Sequence, residues 1–210
     1  MKVIVIGATG TIGRAVADAL EGRHEVVRAS RTGAAGAVRV DMADPATLDH
    51  FFATVRDVDA VVCCAASGAL TPLGGDASDE EFTTGLDAKL LGQVALVRRA
   101  LHHLRDGGSI TLTSGVFEKP TPGGAFGALV NAGLDAFVRA AAIEMERGVR
   151  VNAICPGWVR ETLEKLGMDP AEGTPVETVA QAYAQVVEGT AQGQVIVPSS
   201  GRPGTGRASH

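Results

Sequence analysis

Residues 3–13 read VIVIGATGTIG, and this stretch decides the fold. Its first four residues are apolar and β-branched, which is typical of a parallel strand buried on both faces. After the glycines, Ile12, Val16 and Leu20 repeat at the spacing of an amphipathic helix. A glycine-rich turn in this context offers backbone N–H groups and the positive end of a helix dipole to a pyrophosphate. The alternative is a glycine-rich turn that binds no ligand. The pattern favours phosphate contacts from six residues, which are Gly7, Thr9, Gly10, Thr11, Ile12 and Gly13.

The alternation of strand and helix continues along the rest of the chain. Apolar β-branched runs predict six further strands, at residues 24–29, 38–40, 58–63, 109–113, 149–154 and 194–197. A helix is predicted to begin at Pro45, and others to cover residues 79–103, 126–146 and 176–188. This order predicts an α/β fold, a Rossmann-type doubly wound parallel sheet of about seven strands in three αβα layers. We expect residues 1–198 to form a single NAD(P)-binding domain and residues 199–210 a flexible tail.

Composition narrows the functional classes. The 210 residues are 45% hydrophobic and 20% charged, which argues against disorder. The net charge of -5 argues against a nucleic-acid surface. No apolar run approaches the length of a bilayer and no signal-peptide layout is present, so we expect a cytoplasmic protein without a membrane partner. Cys63 and Cys64 fit small buried side chains in a reducing compartment, and the spacing of the three cysteines, of which Cys155 is the third, predicts no metal site.

The end of the second predicted strand carries the signal for the cofactor. An NAD site places Asp or Glu there to bind the ribose 2′-OH, whereas an NADP site places Arg or a small polar residue. The sequence has no acid at this point, and Ser30 and Arg31 offer a hydroxyl and a guanidinium to a 2′-phosphate. NADPH or NADP is therefore predicted over NAD, the alternative being that Arg31 is a solvated surface cation.

The chain resembles the short-chain dehydrogenase/reductase family over nearly its full length. Its matching pieces are the loop at residues 7–13, Asp41, the CCAA run at 63–66, Thr113-Ser114 and the specific run GVRVNAICPG at 148–157. The resemblance implies adenine contacts from Asp41 and the adjacent Met42. It also implies contacts with the cofactor ribose from Cys64, Ala65 and Ala66, and with the nicotinamide from Pro156, Gly157, Trp158 and Val159. A lone Trp such as Trp158 is more often a packing residue.

The family's proton donor is missing from this sequence. The resemblance places a Tyr thirteen residues beyond Ser114 and a Lys four residues later, but the chain has Gly127 and Asn131 there. The only tyrosine is Tyr183, and the residue four positions beyond it is Val187. The chain therefore resembles a subgroup of short, atypical members without the YxxxK motif.

Three residues are candidates for the catalytic work. Ser114 can polarise a carbonyl, or it can cap local backbone at the strand end. Lys89 stands where the family has a polar Asn, and a desolvated lysine can act as a general acid; alternatively it pairs with an acid such as Asp87 or reaches solvent. Asn131 can hydrogen-bond ribose hydroxyls but cannot transfer a proton at neutral pH.

These residues predict an NADPH-dependent oxidoreductase that acts on a small carbonyl or alcohol with an atypical proton donor. The alternatives are an NADP(H)-binding scaffold or redox sensor without turnover, and a non-redox use of the pocket. Apolar residues such as Leu91, Ala95, Ala136 and Ala140 on the outer faces of the two long helices predict a homodimer or homotetramer.

Overall fold

A computed structural model describes residues 1–65 and 68–198 of the chain. The predictions for Ala66 and for the tail at 199–210 fall outside the described residues. The described part contains one sheet of seven parallel strands in the order β3-β2-β1-β4-β5-β6-β7. The strands are β1 (Lys2–Ile6), β2 (Glu25–Ser30), β3 (Val38–Arg39), β4 (Val58–Cys63), β5 (Leu104–Thr113), β6 (Arg150–Ile154) and β7 (Val195–Ile196). This doubly wound α/β architecture is the one that the sequence predicts.

Helices cover both faces of the sheet. They are α1 (Thr11–Glu21), α2 (Pro45–Thr54), α3 (Asp79–Phe82), α4 (Gly92–His103), α5 (Ala125–Ala141), α6 (Arg160–Lys165) and α7 (Val176–Glu188). Alternate residues of β1 enter different cores: Ile4 and Ile6 face α2, α4 and α5, while Val3 and Val5 face α1 and α7. This alternation follows from the two-residue period of a strand and produces the three layers.

The long helix predicted at residues 79–103 is interrupted. Only α3 and α4 are α-helical, and a π-helical turn (Leu86–Leu91) joins α4 directly. Gly85 adopts φ +101°, a left-handed conformation that favours glycine and ends the first helical segment. Its carbonyl accepts hydrogen bonds from the N–H groups of both Lys89 and Leu90. Lys89 therefore lies on a π-helical turn, a feature that often occurs at functional sites.

Other boundaries differ by less. β5 begins at Leu104, directly after α4, five residues before the predicted start. The helix predicted at 126–146 is α5 followed by a 3-10 turn (Ala142–Glu144), and α6 is an additional helix that the sequence analysis did not identify.

The segment Ala125–Glu144 corrects the expectation that no apolar run approaches the length needed to cross a bilayer. By length and composition alone it would be apolar enough to cross a membrane. Leu134 and Val138 nevertheless pack into the core on the sheet, as in the core helix of an αβα sandwich.

Candidate functional site

The glycines of the β1–α1 loop are required by close packing. Gly7 adopts φ +83°, and a Cβ on it would lie 2.8 Å from the backbone nitrogen of Ala65. A Cβ on Gly13 would overlap the Gly7 carbonyl. The loop thus lies flat against the end of β4 and leaves the N-terminus of α1 open, which is the arrangement of a phosphate cradle.

A cavity of about 530 Å³ opens above this loop. Most of the residues predicted to bind the adenosine half of a cofactor line it: Gly7, Thr9, Gly10, Thr11, Ile12, Ser30, Arg31, Asp41, Met42, Cys64 and Ala65. Gly13 does not line the cavity but supports the loop from below. The carboxyl ends of four strands therefore meet here, as ligand sites in open α/β sheets do.

At the end of this cavity predicted to bind adenosine, hydrogen bonds between residues two or three positions apart hold the loops that follow β2 and β3. The buried Ser30 hydroxyl accepts a hydrogen bond from Gly33 N–H at 3.1 Å, which leaves its proton free to donate. Arg31 is exposed at the rim. The Asp41 carboxylate accepts from Ala43 N–H at 3.0 Å, which fixes the side chain beside Met42.

A second cavity of about 550 Å³ adjoins the first, because Ile12 and Thr162 line both. It contains the three candidate catalytic residues, Lys89, Ser114 and Asn131, together with the run from Pro156 to Val159. Apolar side chains complete its wall: Leu70, Val116, Phe117 and Leu166. The two cavities therefore form one continuous cleft along the carboxyl ends of the strands.

Two buried polar atoms in the second cavity lack hydrogen-bond partners within the described part of the chain. Ser114 is 2% exposed, and its Oγ has no oxygen or nitrogen partner among residues 1–65 and 68–198, although the Cys155 thiol, a weak hydrogen-bonding group, lies beside it. The alternative that Ser114 caps local backbone is therefore not supported. Asn131 Oδ1 is also unpartnered, and its amide packs against Gly115, where a Cβ would come within 3.0 Å of Nδ2. Buried polar groups are normally paired, so both atoms are available to a bound ligand or water.

Lys89 reaches the same cavity from the π-helical turn. It makes no ion pair within 4.0 Å among the described residues, and the pairing with Asp87 considered above is absent. Burial lowers its pKa from the ordinary lysine value, against a smaller opposing effect of Cys155 and Asp135. A partly desolvated ammonium in the same cavity as Ser114 is a chemically competent proton donor.

Gly127 stands at the position where the family has its tyrosine, and the ring of Phe117 lies next to it. Gly127 lines the cavity, and a Cβ there would lie 3.4 Å from the ring of Phe117, which covers the first turn of α5. Tyr183 is fully buried in the core beside α1, where its hydroxyl lies 2.5 Å from Thr113 Oγ1. Burial raises its pKa well above the ordinary value. The sole tyrosine is therefore a structural residue and not the missing acid.

Trp158 and Phe117 form one wall of the second cavity. Their ring centroids lie 6.3 Å apart in an edge-on arrangement. Trp158 thus both packs and lines the cavity, which joins the two roles considered for it.

Sequence reasoning did not find four residues at the cleft, of which Thr162 lines it and the other three lie next to it. Asp135 lies one helical turn beyond Asn131, with a buried and unpartnered Oδ1, and Cys155 lies beside Ser114. Thr162 joins the two cavities, and Lys165 Nζ donates to Thr11 Oγ1 at 2.6 Å across the phosphate loop. The last two belong to α6 (Arg160–Lys165), so no strand-end signal could have found them.

The fold and the glycine-rich loop together are those of a dinucleotide-binding protein, with a second cavity that adjoins the first. A family model described as enoyl-(acyl carrier protein) reductase matches residues 8–192. The chain belongs to the short-chain dehydrogenase/reductase family of oxidoreductases, whose members bind a nicotinamide cofactor.

Individual relatives agree on the family and differ in cofactor. An enoyl-[acyl-carrier-protein] reductase [NADH] of Rhizobium meliloti is 35% identical over 68% of this chain and 56% of its own length, so the chain matches little more than half of that relative. The crystal structure of lin1944 from Listeria innocua has a TM-score of 0.87 and 36% identity, with 94% of this chain and 98% of that chain covered. A small-chain dehydrogenase in complex with NADPH has a TM-score of 0.80 and 27% identity, covering 94% and 95%.

Proposed function

We propose that the protein is an NADPH-dependent oxidoreductase that reduces a small carbonyl compound, or oxidises the matching alcohol, with Lys89 as the proton donor. One observation carries the proposal. Ser114 Oγ and Asn131 Oδ1, which have no oxygen or nitrogen partner in the described part of the chain, share a cavity with the partly desolvated Lys89, directly beside a phosphate cradle.

The residues present fit a nicotinamide dinucleotide. The cradle of Gly7 and Gly13 has no room for a Cβ, and the open N-terminus of α1 would hold the pyrophosphate. Asp41 would hold the adenine, and Asn131 would hydrogen-bond the nicotinamide ribose. When bound, the cofactor supplies or accepts the hydride at the substrate carbon.

The chain's own groups then bind the substrate and move the proton. Ser114 Oγ donates a hydrogen bond to the carbonyl oxygen, where negative charge develops. The Lys89 ammonium gives a proton to the same oxygen and is reprotonated from solvent. Phe117 and Trp158 exclude water from one side of the chamber and favour an apolar substituent on the substrate.

The preference for NADPH rests on Ser30 and Arg31. A free hydroxyl proton and a guanidinium suit a 2′-phosphate, and the end of β2 carries no acid to bind a 2′-OH. The relative in complex with NADPH supports this preference, whereas the Rhizobium reductase is described with NADH.

The proposal is tested by following NADPH oxidation across a panel of aldehydes and ketones, with calorimetric titration of NADPH alongside. We expect saturable turnover with at least one carbonyl. Tight NADPH binding without turnover on any panel member would contradict the enzymatic function and favour the second candidate, an NADP(H)-binding scaffold or redox sensor. The observation that favours this candidate is Phe117, which lies over the position where the family has its tyrosine.

Residues 1–198 act in this proposal as one cytoplasmic NAD(P)-binding domain that assembles into a homodimer or homotetramer. The outer face of α5 and its extension exposes Ala132, Ala136, Ala140 and the large side chains of Leu129 and Ile143. Light scattering at micromolar concentration should give a dimer or tetramer, and Leu129→Glu should shift it toward monomer. A wild-type monomer would contradict the assembly.

A further inference from the structure

The backbone groups of Thr113, at the end of β5, need hydrogen-bond partners that the backbone of β4 does not supply. The last β4–β5 pair is Val62↔Thr111, and β4 ends at Cys63. Ser114 N–H bonds the Ile154 carbonyl on β6. Because successive residues of a strand point their backbone groups to opposite sides, the N–H and C=O of Thr113 face the side where β4 has ended. Both groups are buried, so leaving them unpaired would be costly.

Gln93 on α4 supplies this partner. Its side chain is 0% exposed, its Oε1 accepts from Thr113 N–H at 2.9 Å, and its Nε2 donates to the Thr113 carbonyl at 2.9 Å. The carboxamide therefore takes the place that the backbone of one further β4 residue would fill. Among the described residues, no other side chain bonds the Thr113 backbone.

The same Nε2 also donates to the Lys89 carbonyl at 2.8 Å. Lys89 lies on the π-helical turn (Leu86–Leu91), and Ser114 follows Thr113 directly. One buried amide thus ties the segment that carries the lysine to the strand end that carries the serine. Gly92, the residue before Gln93, allows the start of α4 to approach the backbone of Met42 closely, because a Cβ on it would overlap the Met42 carbonyl.

We infer that Gln93 is a positioning residue that sets the spacing and orientation of Lys89 relative to Ser114, a role that rests on the proposed function of that pair. A misplacement of about 1 Å at a reacting centre can cost on the order of 10²-fold in rate. Gln93 touches neither cavity, so it acts through the two groups it holds.

The chain offers a matched control in Gln192. Its Oε1 accepts from Val151 N–H at 2.8 Å and its Nε2 donates to the Ala142 carbonyl at 2.8 Å. It is therefore also a two-point glutamine link between a strand and the end of a helix, but it lies at the far end of β6, away from the cleft.

The first readout does not depend on turnover. The chain has four lysines, so the side-chain signals of isotope-labelled lysine can be resolved by NMR and Lys89 assigned with Lys89→Met. The charged and titratable neighbours of Lys89 are Cys155 and Asp135, and neither changes in the variants. In Gln93→Met the turn gains freedom and water, so the lowered pKa of Lys89 should rise toward the ordinary lysine value. In Gln192→Met it should stay as in the wild type.

The second readout is kinetic. Gln93→Met should lower kcat by about tenfold or more with the NADPH dissociation constant within about twofold of wild type, while Gln192→Met should leave kcat unchanged. If Gln93→Met does not fold, Gln93→Asn keeps the amide but is one methylene too short to span both partners, and it should show the same changes.

An unchanged Lys89 titration in a folded Gln93 variant would overturn the inference, even if the variant were less stable. If the wild type shows no carbonyl turnover, the proposed function fails, and the NMR titration still decides whether Gln93 positions Lys89.

Discussion

The two cavities of the cleft are similar in volume and different in construction. The first, of about 530 Å³, is shaped by backbone: glycines without room for a Cβ and the open end of α1. The second, of about 550 Å³, depends on side chains: Lys89, Ser114 and Asn131 among apolar residues. The family resemblance predicts the residues of the first cavity, whereas for the second it predicts a tyrosine, a lysine and an asparagine at positions where this sequence has Gly127, Asn131 and Lys89.

The difference shows which parts of such a site are free to change. A pyrophosphate cradle is a constraint on main-chain path, so any added atom closes it. A proton donor is a chemical role, and any titratable group that reaches the carbonyl oxygen can fill it. In the function that we propose, the glycine loop of the first cavity keeps its role without the tyrosine, and Lys89 takes over proton donation in the second.

The largest effect is expected from Gly13→Ala, which should abolish the first cavity's function. Its Cβ would overlap the Gly7 carbonyl, so the loop must move and the N–H cradle is lost. Calorimetry should show NADPH binding weakened by about 10²-fold or more. Gly22→Ala is the matched control, because nothing lies within 4 Å of the added Cβ and its φ of -65° suits alanine. Equal affinities in both variants would show that the loop does not hold the cofactor.

The next effect is expected from Lys89→Met, which tests the second cavity alone. Removal of the proton donor should lower kcat by about 10²-fold with the NADPH dissociation constant unchanged. In the wild type, reduction should fall as pH rises through the lowered pKa of Lys89, because only the ammonium can donate. That descending limb should be missing in Lys89→Met. Lys119→Met, at a lysine side chain that is 83% exposed, should keep the limb.

The same lysine has the opposite effect on stability. Its folded pKa is lowered, so between the folded and the unfolded pKa the unfolded chain binds more protons and stability rises with pH. Below the folded pKa the buried ammonium is a net cost. Lys89→Met should therefore raise the melting temperature at neutral pH while it lowers kcat. A lower melting temperature would mean that the Lys89 side chain makes contacts that stabilise the fold, which would contradict a net cost of its ammonium.

A smaller effect is expected from Arg31→Ala at the adenosine end. Loss of the guanidinium should weaken NADPH by about tenfold, through the 2′-phosphate, and leave NADH nearly unchanged. Arg39→Ala removes a nearby exposed charge that does not line the cavity and serves as the control. Equal affinity of the wild type for both cofactors would contradict the role given to Ser30 and Arg31.

The smallest effect is expected from Lys165→Met. The Lys165 ammonium lies 2.6 Å from Thr11 Oγ1 at the positive end of α1, an unfavourable place for a cation unless an anion shares it. A pyrophosphate would provide that anion. NADPH binding should weaken by about threefold, with a reduced dependence on salt. An unchanged salt dependence would show that Lys165 serves α6 only.

The sequence predicted the fold and the first cavity well because both depend on local patterns. Strand periodicity and the glycine spacing of residues 7–13 are short-range signals that tertiary contacts reinforce. The continuous helix over 79–103 was wrong because Gly85 takes a left-handed conformation that periodicity cannot reveal. The π-helical turn that carries Lys89 follows from that break.

For the second cavity, the sequence predicted which residues come together but not the contacts they make there. Register with the family placed Ser114, Lys89 and Asn131 together, but not the burial of Ser114 Oγ or the approach of Phe117 to Gly127. Gln93 has no sequence signal, because its role exists only where the end of β4 leaves Thr113 unpaired. Contacts of this kind depend on where strands end relative to one another, which composition and spacing do not specify.

The most direct test of the account is deuterium transfer from NADPH labelled at the nicotinamide C4 to a carbonyl substrate, followed by mass spectrometry of the product. The account predicts a labelled alcohol with the wild type, and a loss of about 10²-fold in the rate of labelling with Ser114→Ala at unchanged NADPH affinity. Tight NADPH binding by the wild type with no labelled product, or labelling by Ser114→Ala at the wild-type rate, would contradict it.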